Sequence, residues 1–298
     1  MELALDLSPP ESKHYRSWNE RLRYVSRYSQ PEEIHVLLER AHAMGVRSVM
    51  AVLDRRIETA LREFQSWRSD VEVWAVVPNM NAFIRDLTDR GMVGAALARF
   101  LRLSPRAMLA TGLDALGALG PLARADFTAG ALWLAQMELA AAQGLRVRRV
   151  FLHPQLTEIA LAGRVIGLFT SFARRARALG LEAGLVTHNP VMAAEVLGAE
   201  LDSFAAIVAP CNPKGYKMVP SRAACEALLR ARRGQFWATE FTAGGSVPMA
   251  TALSRGREFG LAGAVLDLRS LEDANRDRSG VTAARRDPAV RPSATAVN

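Results

Sequence analysis

The sequence predicts a closed α/β barrel, the (β/α)8 or TIM-barrel class, and three observations predict it. Apolar runs of strand length alternate with segments of helical period, and eight such runs follow one another along the chain. The runs are apolar throughout, as strands are when a parallel sheet is covered on both faces. The size also fits: 298 residues with 50% hydrophobic content accommodate one barrel of roughly 250 residues with tails. Residues 1–276 are therefore read as one domain and 277–298, polar and proline-containing, as a disordered tail.

Strand one is Leu3–Leu7, stopped by Ser8, Pro9 and Pro10. The stretch that follows is an extended first βα loop, with Tyr15, Trp18, Tyr24 and Tyr28 set among Arg16, Arg21, Arg23 and Arg27. It could stack on bases. A flap over the barrel mouth suits the fold better, with Trp18, Leu22 and Val25 packing down and the tyrosines and Arg21 reaching a ligand. Pro31–Met44 has proline and acids in its first turn and Gly45 after its end, which are helix limits. Val46–Leu53 is strand two, Arg55–Trp67 a helix, and Val71–Val77 strand three, closed by Pro78 and Asn79.

The span 80–144 is a long helical insertion, with more helix than one crossover needs, and both a lid and a homodimer contact are open to it. Val147–Leu152 is strand four, ending at His153 and Pro154, and Leu156–Leu179 is one long helix stopped by Gly180. Leu181–Val186 is strand five, with Thr187, His188, Asn189 and Pro190 after it and a helix over Val191–Gly198. Strand six is the run FAAIVA from Phe204, which leads into the loop CNPKGYKMVPS and a helix. Gln235–Thr239 is strand seven, followed by Glu240, the turn Ala243-Gly244-Gly245 and a helix over Pro248–Phe259; Ala262–Leu268 is strand eight.

Composition narrows the function. No apolar run reaches the roughly 20 residues that cross a bilayer, and the N-terminus has no secretion-signal pattern, so a cytoplasmic protein without a membrane partner is expected. Cys211 and Cys225 form no disulfide framework. The net charge of +8 comes from arginines scattered over many helices and the tail. That is a solvated basic surface, and no nucleic-acid partner is expected. Lysine is scarce: Lys13, Lys214 and Lys217 are the only three among 38 basic residues. Two of them share one loop, where a compact amine can do what guanidinium cannot.

A barrel of this kind carries its reacting groups at the C-terminal ends of its strands. The residues so placed are Asp6, Asp54, Asn79, His153, His188, Asn189, Cys211, Asn212, Lys214, Tyr216, Lys217, Glu240, Asp267 and Arg269. His153 and His188 close successive strands and can act as acid or base near neutral pH, or be hydrogen-bonded structural residues. Cys211 can be a nucleophile but suits a small buried position. Asn189 and Asn212 can hold a substrate oxygen or serve as turn residues. Lys214 and Lys217 can bind an anion, Lys217 being shielded by Tyr216 and Met218. The turn after strand seven could offer backbone N–H groups to a phosphate. His153, His188 and Glu240 could converge on an ion, but no close-spaced ligand pair supports a metal and none is expected.

From about Ala129 to Asn275 the chain resembles the aldo/keto reductase superfamily in the order and spacing of RVRRVFLHP, LEAGLVTHNP, AAIVAPCNP, QFWATEFTAGG and AVLDLRSLEDANR. The resemblance implies a barrel that binds NADPH. His153 would match the catalytic histidine, His188 and Asn189 the pair at the nicotinamide amide, and Arg269, Ser270 and Asn275 the adenosine end. The front half departs from the pattern. The proton-donating tyrosine is missing after strand two (VRSVMAVLDRRIE), and the lysine that activates it is missing from strand three (VEVWAVVPN). Tyr15, Tyr24, Tyr28 or Tyr216 would have to substitute.

The sequence therefore leads to a barrel enzyme acting on a small carbonyl or carboxylate compound by lyase or isomerase chemistry. His153 or His188 moves protons, Lys217 stabilises negative charge, and Asn189, Cys211, Asn212, Lys214, Tyr216, Glu240, Tyr15 and Trp18 surround the substrate. No cofactor is favoured. An NADPH-dependent reductase with a relocated proton donor is the first alternative, and a barrel kept for binding alone is the second.

Overall fold

The structure, a computed structural model, describes residues 1–7, 17–28, 30–101, 103, 105, 108 and 127–267. Tyr15, Arg269, Ser270, Asn275 and the tail 277–298 lie outside the described residues. Eight strands close into a barrel in sequence order: β1 (Glu2–Asp6), β2 (Ser48–Val52), β3 (Glu72–Val77), β4 (Val147–Leu152), β5 (Glu182–Val186), β6 (Ala206–Pro210), β7 (Phe236–Thr239) and β8 (Gly263–Leu266). Every neighbouring pair is parallel, including β1 with β8.

Side chains alternate along each strand, so the barrel has two cores. Outward residues such as Leu5, Val49, Val73, Val150, Leu185 and Ile207 pack against the helices, and inward ones fill the lumen with Met50, Val52, Trp74, Val76, Phe151, Val208, Trp237 and Val265. Two glycines make room for the lumen's largest rings. A Cβ on Gly184 would stand 2.3 Å from the Phe151 ring, and one on Gly263 would stand 2.3 Å from the Trp237 ring. The N-terminal end of the lumen is closed by charge. Arg149 lies over Trp74, 4.7 Å from the ring centroid, with its Nε 2.6 Å from Glu182. Glu72 accepts from both Ser48 Oγ and Trp74 Nε1.

The first helix, α1 (Trp18–Tyr28), turns the opposite face inward from the one expected. Tyr24 and Tyr28 are in the core with rings stacked 5.9 Å apart, whereas Trp18 is 64% and Leu22 48% exposed. Both stripes have helical spacing; periodicity says which residues share a face and not which face is buried. Helices α2 (Pro31–Ala43) and α3 (Arg55–Trp67) follow as expected. The insertion begins with α4 (Met80–Phe100), kinked at Gly91, and ends with α5 (Phe127–Ala141). Apolar nearly all round, α5 is buried on two sides. Ala131, Leu132 and Ala135 join the core around the barrel, while Leu134 and Met137 pack in a second cluster with Phe83 and Phe100 of α4. It is the crossover layer, and among the described residues of the span Ile84, Leu97 and Leu101 are exposed large apolar side chains.

The long helix expected over 156–179 is two: α6 (Pro154–Ala162) and α7 (Ile166–Ala178). Arg164 takes a left-handed φ of 50°, and the Val165 N–H turns back to Ala160 O at 2.8 Å. Both pieces bury an apolar face, Leu156, Ala160 and Leu161 in one and Leu168, Phe169 and Phe172 in the other, so the periodicity runs on across the break. Among the described residues the remaining α-helices are α8 (Pro190–Leu197), α9 (Arg222–Ala231) and α10 (Met249–Glu258). Among the described residues no helix is long and apolar enough to cross a membrane.

Candidate functional site at the C-terminal mouth

Four of the strand-end residues cap the helices that follow them. Asp54 accepts from the N–H groups of Arg56 and Ile57, Asn79 from Ala82, His153 from Gln155 and Asn189 from Met192. A side-chain acceptor at this position satisfies N–H groups that the first helical turn leaves unpaired. Asn79 is further engaged: its Nδ2 donates to Leu53 O, and its own N–H donates to Glu138 Oε2 at 2.6 Å. Glu138 also binds Arg99, at 2.5 Å, and Arg99 lies 3.6 Å from Asp86. Burial pushes the Glu138 carboxyl up to about 7, against the pull of Arg99 and of the Asn79 N–H.

The two histidines have different surroundings. His153 continues the alternation of Arg149 and Phe151 and so stands on the lumen side of β4, buried. Burial pushes its pKa down to about 4, which makes the ring neutral near pH 7. Its Nδ1 accepts the Gln155 N–H at 3.3 Å, so the proton belongs on Nε2, and the ring is a hydrogen-bond donor there and not a base that titrates near neutrality. His188 is exposed, its Nδ1 3.7 Å from Glu158 Oε1. The same oxygen accepts from Thr187 Oγ1 at 2.9 Å and from the His188 N–H at 2.6 Å. Burial raises the Glu158 carboxyl, but the His188 and Thr187 hydrogen bonds outweigh it and hold the group below the ordinary carboxylate range. This corner braces α6 against the end of β5.

The loop after β6 is built on Asn212, which is buried and copies a strand partner for one residue. Its Oδ1 accepts the Tyr216 N–H and its Nδ2 donates to the Tyr216 carbonyl, both at 2.8 Å. Asn212 therefore staples the loop. Cys211 is buried, and burial, with Glu226 and Cys225 nearby, pushes its thiol up to about 12. A thiol so raised is no nucleophile near neutral pH. Both cysteines are free.

What the staple presents is Lys217, the residue after Tyr216. Its ammonium pairs with the Glu240 carboxylate from the loop after β7 and lies 5.2 Å from the centroid of the Tyr216 ring. Lys214 and Tyr216 are exposed beside it. Lys217 and Glu240 both have left-handed backbones, with φ of 56° and 52°. Only Arg164 and Ala243 share that feature among the described non-glycine residues. The conformation costs on the order of 1 kcal/mol or more at each position. It is held from outside the pair: Asn212 fixes the Tyr216 peptide, and the Ala243 N–H donates to Glu240 O at 2.8 Å.

No family model and no curated protein matches this chain. Among the described residues no three of the His, Cys, Asp and Glu side chains gather as a metal site would require. Of the residues that the reductase resemblance assigns to a nicotinamide amide, Asn189 caps α8 through Oδ1, and His188 has its Nδ1 3.7 Å from Glu158. Of the other rim carboxylates, Asp6 and Asp267 each follow by two residues a member of the β1–β8 pair Ala4 and Val265, and each has interactions of its own.

Lys217, Glu240 and Tyr216 thus meet on the rim of β6 and β7, with Lys214 exposed on the same loop and His153 at the end of β4. Glu158, Thr187, Glu138 and Arg99 were missed in the sequence. Glu158, Glu138 and Arg99 lie inside helices, and nothing in their spacing says that they meet the rim; Thr187, one residue past β5, was open to the same strand-end rule as its neighbours.

Proposed function

We propose that the protein is an enzyme that moves a proton at the carbon next to the carbonyl of a small oxygenated compound, as a lyase or isomerase does. The observation that carries this reading is the Lys217–Glu240 pair, two strained residues from neighbouring loops whose side chains meet at the mouth. In the reaction the C–H proton passes to the Glu240 carboxylate and the electron pair moves into the carbonyl, giving an enolate. Lys217 stands against the negative charge of the substrate. His153 Nε2–H donates to the carbonyl oxygen, and a neutral imidazole serves that purpose because it offers a hydrogen bond without surrendering its proton. Return of the proton to the opposite face of the same carbon completes an isomerisation; departure of a leaving group from the next carbon along, the one β to the carbonyl, as the enolate electrons form the C=C bond and the Glu240 proton goes to the departing group, completes an elimination. Val52, Val76, Phe151 and Val208 give the floor an apolar surface that strengthens these interactions. The reading takes the protein as a cytoplasmic enzyme of small-molecule metabolism.

Solvent-deuterium incorporation into a panel of small 2-oxo acids, pyruvate among them, followed by proton NMR, tests it. The wild-type protein incorporates deuterium, and Glu240→Gln lowers the rate by about 100-fold or more. Equal rates in the two proteins would refute the assignment.

A further inference from the structure

We propose that Lys217 is the seat of a substrate carboxylate and that Glu240 holds the seat until that carboxylate takes it, which turns Glu240 toward the reacting carbon. The proposal rests on the proton-transfer reading only for what Glu240 does once displaced.

Several observations lead there. The ammonium and carboxylate are largely shielded, with side chains 23 and 25% exposed, and they join two loops that already have their own anchors. Asn212 brackets the Tyr216 peptide, and Ala243 binds the Glu240 carbonyl. The pair is therefore not needed to hold the loops, and a partly exposed ion pair stabilises by little. Yet both residues keep left-handed backbones that deliver their side chains to one point. With the backbones fixed, the coordinate left free is rotation of the Glu240 side chain away from Lys217. A carboxylate arriving from solvent matches the group that it replaces in charge, size and acceptor geometry. Lys214, exposed on the same loop, adds positive potential on the approach. Arginine, used almost everywhere else in this chain, would clamp Glu240 through two bonds; lysine holds it through one and lets it go.

Calorimetric titration with oxalate, and with oxamide as its uncharged counterpart, tests the proposal. Glu240→Gln removes the occupant and should bind oxalate about tenfold tighter than wild type, because a like charge no longer opposes the ligand. Lys217→Met should lose oxalate binding, and oxamide should bind none of the proteins. Should Glu240→Gln fail to fold, Glu240→Ala, which also removes the charge, carries the same expectation. Oxalate binding to the Glu240 variant no tighter than to wild type, or unimpaired binding to Lys217→Met, overturns the proposal. The two readings fail separately. Tighter oxalate binding without deuterium exchange by the wild type removes the chemistry and leaves the seat; exchange without the gain in oxalate affinity removes the seat and leaves the chemistry.

Discussion

At the N-terminal end of the barrel Arg149 lies over Trp74 and binds Glu182, and at the C-terminal end Lys217 lies beside Tyr216 and binds Glu240. Each end has a cation, a carboxylate and an aromatic ring. The lower set sits on paired strand positions, Trp74 opposite Arg149 and Arg149 opposite Glu182, with the β3–β4 register shifting by one residue just before Trp74. The upper set sits on loops, in backbone conformations that non-glycine residues seldom adopt. Charges that only close a barrel can be placed where the strands already put them. The upper pair is held against its backbone preference, and in the proposed function that geometry serves the chemistry.

That contrast can be broken most forcefully from below. Trp74→Ala empties the middle of the lumen and should cost about 3–5 kcal/mol, measured by denaturant unfolding. A smaller loss would mean that the lower end contributes less than its packing implies. At the mouth the same measurement should find Glu240→Gln within about 1 kcal/mol of wild type, while deuterium exchange collapses.

A pH series sharpens the comparison further. His153 has its pKa depressed in the folded chain, so its contribution is complete above the ordinary histidine value and is lost as the pH falls toward about 4. Between those limits stability should decline by up to about 1.4 kcal/mol per pH unit from this group. His153→Asn keeps a helix cap and should remove that part of the slope; an unchanged slope would mean that the ring is not held neutral. The smallest effect belongs to Trp18, whose exposed ring should be replaceable by alanine within about 0.5 kcal/mol in the same unfolding measurement.

Much of this fold was legible in the sequence because it is written in local signals. Pro31, Gly45, Pro154 and Gly180 mark element ends, and the apolar runs give the strands. The strand-end position named the candidates at the mouth but could not sort them. Asp54, Asn79, His153 and Asn189 stand one residue before a helix, where a polar side chain serves as a cap, and two of them precede proline. Capping chemistry was therefore a signal available for those four. The scarcity of lysine singled out Lys217, but its pairing with Glu240 depends on two loop conformations that no local pattern specifies. Faces of equal periodicity were ambiguous for a similar reason, as the exchange of Trp18 for Tyr24 and Tyr28 in α1 shows.

The claim that the two ends divide stability from chemistry is tested most directly by measuring melting temperature and deuterium exchange on the same samples of Arg149→Met and Glu240→Gln. The lower variant should melt several degrees below wild type and still exchange when folded, and the upper one should melt within a few degrees of wild type and exchange about 100-fold more slowly or less. If Glu240→Gln exchanges at the wild-type rate, or if the two variants lose both properties together, the division does not exist.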